Sequence, residues 1–306
     1  MMDHNIRVGT RSSQLATWQA LHVKTLLGQH CSEAELCYIK SEGDIDLKTP
    51  LYEMGVQGIF TRTLDAALLS GRIDIAVHSM KDVPTKLPDG IVQVAVLPRA
   101  THLDILVQNS PIPLESLANI PAVIATSSTR RKAQWLYRFP HHRIENLRGN
   151  VNLRLEKLAG SQWHGAIFAA AGLERVALRP EAAIELDWML SAPAQGAIVV
   201  VCREGDEAVY NACRLLNDAS SALCTSIEKD FLRSLRGGCT APIGALAEIR
   251  DGIVSFKGNL LMPDGSQCLE VQRSAPISDA AALGEMCGAE IMGNGGHQIL
   301  EILHNS

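Results

Sequence analysis

Ile73-Asp74-Ile75-Ala76-Val77-His78-Ser79-Met80-Lys81-Asp82-Val83-Pro84 is an apolar run that stops abruptly on charge. Residues 73–78 have the length and composition of a buried strand, and Lys81-Asp82 follows at its carboxyl end. Open α/β sheets collect ligands at that end of their strands. The competing reading of the pair is a surface ion pair at a turn, which contributes little. Working outward, residues 6–9 read as a strand, and Thr10-Arg11-Ser12-Ser13 offers caps for a helix carrying Leu15, Trp18, His22 and Leu26. Residues 35–39 and 91–97 are further strands, and 61–69 are helical. Between them, 41–60 contain Gly43, Pro50, Gly55 and Gly58 with little periodicity, the mark of a functional or disordered stretch.

From Asp104 the order begins again. Strands are expected at 105–108, 122–125, 144–147 and 165–170, with helices from about Thr129, over 151–158 and after 170. The element order repeats and the sequence does not. The tail differs: 245–248, 253–260 and 268–272 are separated by Asp251-Gly252 and Pro263-Asp264-Gly265, the signature of a three-stranded antiparallel meander. A helix from Ser278 to about Met292, ending at Gly293, follows. The chain therefore reads as α/β layers with a smaller α+β unit at its end.

Composition narrows the function. The 306 residues suffice for two or three domains, and an apolar fraction of 46% excludes a disordered chain. A net charge of −5 argues against a dedicated nucleic-acid binder. No run approaches the roughly 18 apolar residues of a membrane span; residues 197–202 are the purest apolar stretch and suit a buried strand. The N-terminus lacks the basic and apolar regions of a secretory signal, so the expected compartment is cytoplasmic. Eight cysteines include no Cys-x-x-Cys pair, which weakens a zinc or thioredoxin reading and makes most of them apolar fillers.

Against that acidic background, arginines gather at strand-to-helix junctions. Ala125-Thr126-Ser127-Ser128-Thr129-Arg130-Arg131 leads from a strand through a hydroxyl-rich turn into a helix start. Arginine in a first helical turn opposes the helix dipole, and that tension favours an anion at the site. Leu147-Arg148-Gly149-Asn150-Val151-Asn152-Leu153-Arg154 repeats the arrangement; Arg11 stands in the matching place after the first strand, and Arg175 lies near Gly172. Any one of these arginines alone reads as solvent-exposed. Together they describe a place for a ligand with several carboxylates or phosphates, which a planar guanidinium pairs bidentately. Finally, Leu235-Arg236-Gly237-Gly238-Cys239-Thr240-Ala241-Pro242-Ile243-Gly244 sets one cysteine in a glycine-rich loop near positive charge, where a thiol becomes nucleophilic.

These segments resemble the porphobilinogen deaminase (hydroxymethylbilane synthase) family. Thr-Arg-x-Ser-x-Leu-Ala, His-Ser-Met-Lys-Asp-Val-Pro, Thr-Ser-Ser-x-Arg-Arg, Leu-Arg-Gly-Asn-Val and Gly-Gly-Cys-x-x-Pro-Ile-Gly stand in that family's order from about Ile6 to the C-terminus. The resemblance implies three domains: two periplasmic-binding-protein-like α/β domains that form a cleft, and a small C-terminal α+β domain. Their expected bounds are 1–98 with 197–217, then 99–196, then 218–306, with a mobile lid at about 42–60. It implies a transferase of haem and tetrapyrrole biosynthesis that joins four porphobilinogen molecules head to tail, releasing ammonia and finally hydroxymethylbilane. The chain would grow on a dipyrromethane held by Cys239 through a thioether, with Asp82 as the catalytic carboxylate. By the same resemblance, Lys81, Ser13, Thr126, Ser128, Arg130 and Arg131 bind the cofactor. Arg11, Gln19, Arg148, Arg154, Arg175 and Gln195 bind substrate, and Phe60 belongs to the lid. The lid carries Glu53 and Gln57 where many members carry lysine. A monomer without metal, membrane or nucleic-acid partners is expected. The rival readings are a non-catalytic anion-binding protein and a Cys-His hydrolase using Cys239 and His78.

Overall fold

A computed structural model describes residues 5–30, 33–40, 61–236 and 241–304. The expected lid, including Glu53, Gln57 and Phe60, and the cysteine at 239 lie outside the described residues. Two compact units emerge: one takes the described residues up to Ala100 together with Gln195–Leu223, the other Thr101–Ala194 and the described residues from Cys224 onward.

The first unit is built on β1 (Ile6–Thr10), β2 (Ala34–Tyr38), β3 (Ile75–Ser79), β4 (Ile91–Val96) and β10 (Ile198–Arg203), in the sheet order β2-β1-β3-β10-β4. β1 runs parallel to β2 and β3, whereas β10 runs antiparallel to β3 and β4. Helix α1 (Gln14–Gln29) starts where Ser13 accepts the amide of Ala16. It lays Ala20, Val23 and Leu27 on a core shared with Val8, Val77 and Val200. α2 (Arg62–Leu69) and α7 (Glu207–Cys213) complete this unit's helices before α8 (Ala219–Ser234), which leads into the second.

The second unit repeats the plan. β5 (Asp104–Val107), β6 (Val123–Ala125), β7 (Arg143–Glu145), β8 (Gly165–Ala169) and β9 (Ile184–Glu185) assemble as β7-β6-β8-β5-β9. β6 lies parallel to β7 and β8, and β5 is antiparallel to β8. α3 (Leu114–Leu117), α4 (Thr129–Arg138), α5 (Val151–Ala159) and α6 (Ala170–Arg175) connect them. Both faces of this sheet are covered: Ile105, Val107 and Phe168 enter one core cluster, Leu106, Ile124 and Ile167 the other. A sheet buried on both sides needs unbroken apolar strands, which is why these runs do not alternate.

The same unit carries the expected meander: β11 (Ile243–Arg250), β12 (Ile253–Leu261) and β13 (Cys268–Pro276), antiparallel throughout. Asp251 and Gly252 both adopt positive φ between the first two strands, as a tight hairpin requires. The C-terminal helix departs from expectation. A 3-10 segment (Ile277–Ala282) precedes α9 (Leu283–Ile291), and helix resumes after Gly295 as α10 (His297–His304). Gly295, at φ +101°, breaks the first helix, and the buried Ile299 and Leu300 give the chain a reason to start another.

Of the described cysteines, Cys202, Cys213, Cys224 and Cys287 are buried, and Cys37 and Cys268 are half-buried. Burial pushes the Cys202 and Cys287 thiols up to about 11 and those of Cys213 and Cys268 up to about 12. Cys37 is raised for the same reason.

Candidate functional site

In the first unit the candidate residues collect at the carboxyl ends of β1 and β3. Arg11 follows β1, and Ser13 caps α1. Gln19 is buried on α1, and its amide donates to Ser79 Oγ at 2.8 Å, tying the helix to the end of β3. The chain then makes one 3-10 turn, Met80–Asp82, which leaves Asp82 exposed and Lys81 half-buried. Lys81 Nζ donates to Gln195 Oε1 at 3.3 Å. Gln195 is itself buried, and its carbonyl accepts Arg99 Nε at 2.8 Å. A carboxylate thus stands open to solvent beside an ammonium held by a fixed amide. His78, just before this turn, is 7% exposed. Burial, with Arg11 nearby adding to it, pushes its imidazole down to about 4, so the ring is neutral at pH 7. Enclosed at the end of β3, the ring is a core residue.

In the second unit the candidates cluster where β6, β7 and β8 give way to helices. Thr126 is buried, its Oγ1 accepts the amide of Ser128 at 3.2 Å, and Ser128 caps α4 by accepting the amide of Arg131. Arg130 and Arg131 are 4% and 5% exposed and converge on Asp104, the first residue of β5, which is fully buried. Arg130 Nη2 donates to Asp104 Oδ2 at 2.7 Å, and Arg131 donates through Nε at 3.1 Å and Nη2 at 2.7 Å to Oδ1. Arg130 Nη1 also reaches Leu190 O at 2.7 Å, and Arg131 Nη1 reaches Ile167 O at 2.9 Å. The anion that these two guanidiniums meet is therefore supplied by the chain. Two cations share one carboxylate, which leaves the cluster with an excess positive charge. Buried Arg130 Nε has no hydrogen-bond partner among the described residues. Burial outweighs the pull of Asp104 and holds the Arg130 guanidinium below its ordinary range.

The second arginine pair lies around the start of α5. Gly149, at φ +115°, turns the chain, and Asn150 caps the helix by accepting the amide of Leu153 at 3.0 Å. Arg154 Nε donates back to Gly149 O at 2.8 Å, which sets its guanidinium over the turn that carries the buried Arg148. Arg175 ends α6, where burial lowers it to about 10. An excess of partly desolvated guanidiniums fits a ligand bearing several carboxylates.

Sequence reasoning did not find Asp104, which lies 26 residues before Arg130 and carries no local signature. It also passed over Gln134, buried one turn further along α4. Among the described residues no group of three or more His, Cys, Asp or Glu is arranged to hold a metal ion, and no helix is long and apolar enough to cross a membrane.

Residues 6–211 match the family model described as porphobilinogen deaminase, dipyromethane cofactor binding domain, and residues 222–293 match the porphobilinogen deaminase C-terminal domain. A chloroplastic porphobilinogen deaminase of Oryza sativa subsp. japonica is 40% identical over 304 residues, covering 95% of this chain and 84% of that protein. Among solved structures, an ABC-transporter periplasmic substrate-binding protein from Coxiella burnetii is 15% identical, with 71% of this chain and 94% of that one covered at a TM-score of 0.43. The periplasmic VFT2 domain of Bordetella pertussis BvgS is 12% identical, with 68% and 85% covered at a TM-score of 0.42.

Proposed function

The chain belongs to the porphobilinogen deaminase family, and from that premise we propose that Asp82 is its catalytic carboxylate and Cys239 the attachment point of its cofactor. The family's reaction is a transfer: four porphobilinogen molecules condense head to tail, each losing ammonia, and hydroxymethylbilane is released. The dipyrromethane supplies the pyrrole onto which the first substrate is added.

The observation that carries the assignment of Asp82 is its exposure on the turn directly after β3, next to an ammonium that Gln195 holds in place. As the aminomethyl C–N bond of a bound porphobilinogen breaks, its electron pair leaves with nitrogen and positive charge spreads into the pyrrole. A carboxylate accepting the pyrrole N–H stabilises that charge, and the same group relays the proton that the amine takes away. Lys81 and Ser13, the latter at the cap of α1, bind the cofactor near Asp82, and Gln19, tied to the end of β3 through Ser79, binds substrate. In the second unit, Arg130 and Arg131 hold cofactor carboxylates, with Thr126 and Ser128 shaping the turn before them. Two guanidiniums sharing the single carboxylate of Asp104 leave an excess positive charge at the start of α4, which supports this. Arg11, Arg148, Arg154 and Arg175 bind the acetate and propionate groups of incoming units, and Gln195 supports them through Lys81.

The reading extends to a cytoplasmic monomer, free of membrane and nucleic-acid partners, with three domains at 1–98 plus 197–217, 99–196 and 218–306. The lid at about 42–60, with Phe60, is proposed to cover bound substrate. The test is intact mass of the purified protein beside Cys239→Ser. Two deaminated porphobilinogen units on the native chain and none on the variant are expected. Asp82→Ala keeps that mass and loses about 10²–10⁴-fold in kcat, the range that removal of an acid–base group produces. An unmodified native chain after incubation with porphobilinogen, or normal turnover in Asp82→Ala, refutes the corresponding assignment.

A further inference from the structure

Leu190 and Ser191 form a junction where elements of the second unit meet. On one side stands Gln134 of α4, which is 5% exposed. Its carboxamide closes both backbone groups of Leu190: the Leu190 amide donates to Oε1 at 2.8 Å, and Nε2 donates to the Leu190 carbonyl at 2.9 Å. Arg130, one turn earlier on α4, donates to the same carbonyl. On the other side Ser191 pairs with β11. The Ala245 amide donates to Ser191 O at 2.9 Å, and Ser191 Oγ donates to Ala245 O at 3.2 Å. Gly244 packs so closely there that a Cβ would sit 3.0 Å from Leu190 O. The β12–β13 turn adds a second contact with α4, since a Cβ on Gly265 would lie 2.7 Å from Leu136 C and 2.9 Å from Ala133 O.

A buried amide and carbonyl both need partners, and a carboxamide provides one acceptor and one donor at the spacing of a neighbouring strand. We propose that Gln134 is a positioning residue for the reaction. Acting through Leu190 and Ser191, it fixes β11, the strand that follows Cys239 in the chain, against the helix that carries Arg130 and Arg131. The proposal rests on the reading that Cys239 and those arginines hold the cofactor. Its consequence is that α4 and β11 keep their separation while the pyrrole chain lengthens, so the added length is accommodated elsewhere.

The test compares native holoenzyme with Gln134→Ala and Gln134→Glu. The folded fraction is taken from circular dichroism, and enzyme-bound pyrrole units are counted by intact mass during turnover. Gln134→Ala is expected to retain the cofactor mass and to lose about tenfold in kcat, with KM for porphobilinogen moving less than about twofold and partly elongated species accumulating. Gln134→Glu keeps the acceptor for the Leu190 amide, loses the donor to its carbonyl, and falls between. A folded Gln134→Ala with native kcat per folded molecule and a native distribution of intermediates overturns the proposal. If that variant does not fold, Gln134→Glu decides by the same two criteria. A native protein lacking pyrrole mass overturns the cofactor reading first, and the proposal with it.

Discussion

Replacing Asp104 by asparagine keeps the side chain's shape and removes the carboxylate shared by two buried guanidiniums. Hydrogen bonds from Arg130 Nη2, Arg131 Nε and Arg131 Nη2 end on it. Hydrogen bonds to a charged acceptor contribute about 1.5–3 kcal/mol each, and they are not additive around one group. Removing one partner of a buried ion pair costs about 3–5 kcal/mol, because the remaining charge stays desolvated. Here two guanidiniums would remain, both at most 5% exposed, so the upper part of that range applies. Since whole domains are stable by only about 5–15 kcal/mol, Asp104→Asn is expected to abolish much of the second unit's stability. Urea unfolding followed by tryptophan fluorescence reads this directly, because Trp135 is fully buried on α4 one turn beyond Arg131. A loss below about 1 kcal/mol would refute the argument, since it would mean that the carboxylate only offsets its own desolvation.

Two further outcomes follow from the structure. His78 is neutral when folded, with its pKa down at about 4 against an ordinary 6.5, so the unfolded chain takes up its proton first as pH falls. Stability attributable to this residue is fully present above pH 6.5 and falls by about 3 kcal/mol as pH drops towards 4. His78→Asn should flatten that part of a stability-against-pH curve, and an unchanged slope would contradict the burial argument. Gly265 has φ +75°, and a Cβ there would press on the backbone of α4. Gly265→Ala should therefore cost about 1–3 kcal/mol in denaturant unfolding, and an unchanged midpoint would show that the turn does not bear on the helix.

How far the sequence could be read depended on how local each signal was. The strands at 73–78 and 197–202 declare themselves, because a sheet covered on both faces demands continuous apolar runs. Ser13, Ser128 and Asn150 mark their helix starts because capping involves a residue and its near neighbours. Helix α8 went unread: in its first turns Ser220, Ser221, Cys224 and Thr225 dilute the helix formers Ala219, Ala222 and Leu223, and the buried Ile227 and Phe231 anchor it in the core. The arginines at the start of α4 were read as pointing to an anionic ligand, whereas the carboxylate they meet is that of Asp104. That the anion at Arg130 and Arg131 would include Asp104 could not be read, because the pairing joins strand β5 to a helix through tertiary structure alone. Gln134 was hidden for the same reason, since its partners are the backbone of Leu190, 56 residues away.

The buried thiols bear on how such an enzyme survives its own reaction. Loss of ammonia from an aminomethylpyrrole creates a carbon electrophile, and a thiolate is among the best traps a protein can offer. Cys202, Cys213, Cys268 and Cys287 ionise only at about 11 to 12, so at pH 8 each is a thiolate in about a thousandth of molecules or fewer. Packing that serves the fold thereby also keeps these four side chains in the protonated form, the poorer nucleophile. Cys202, Cys213 and Cys287 are also buried, so burial shields them from an electrophile that escapes into solvent.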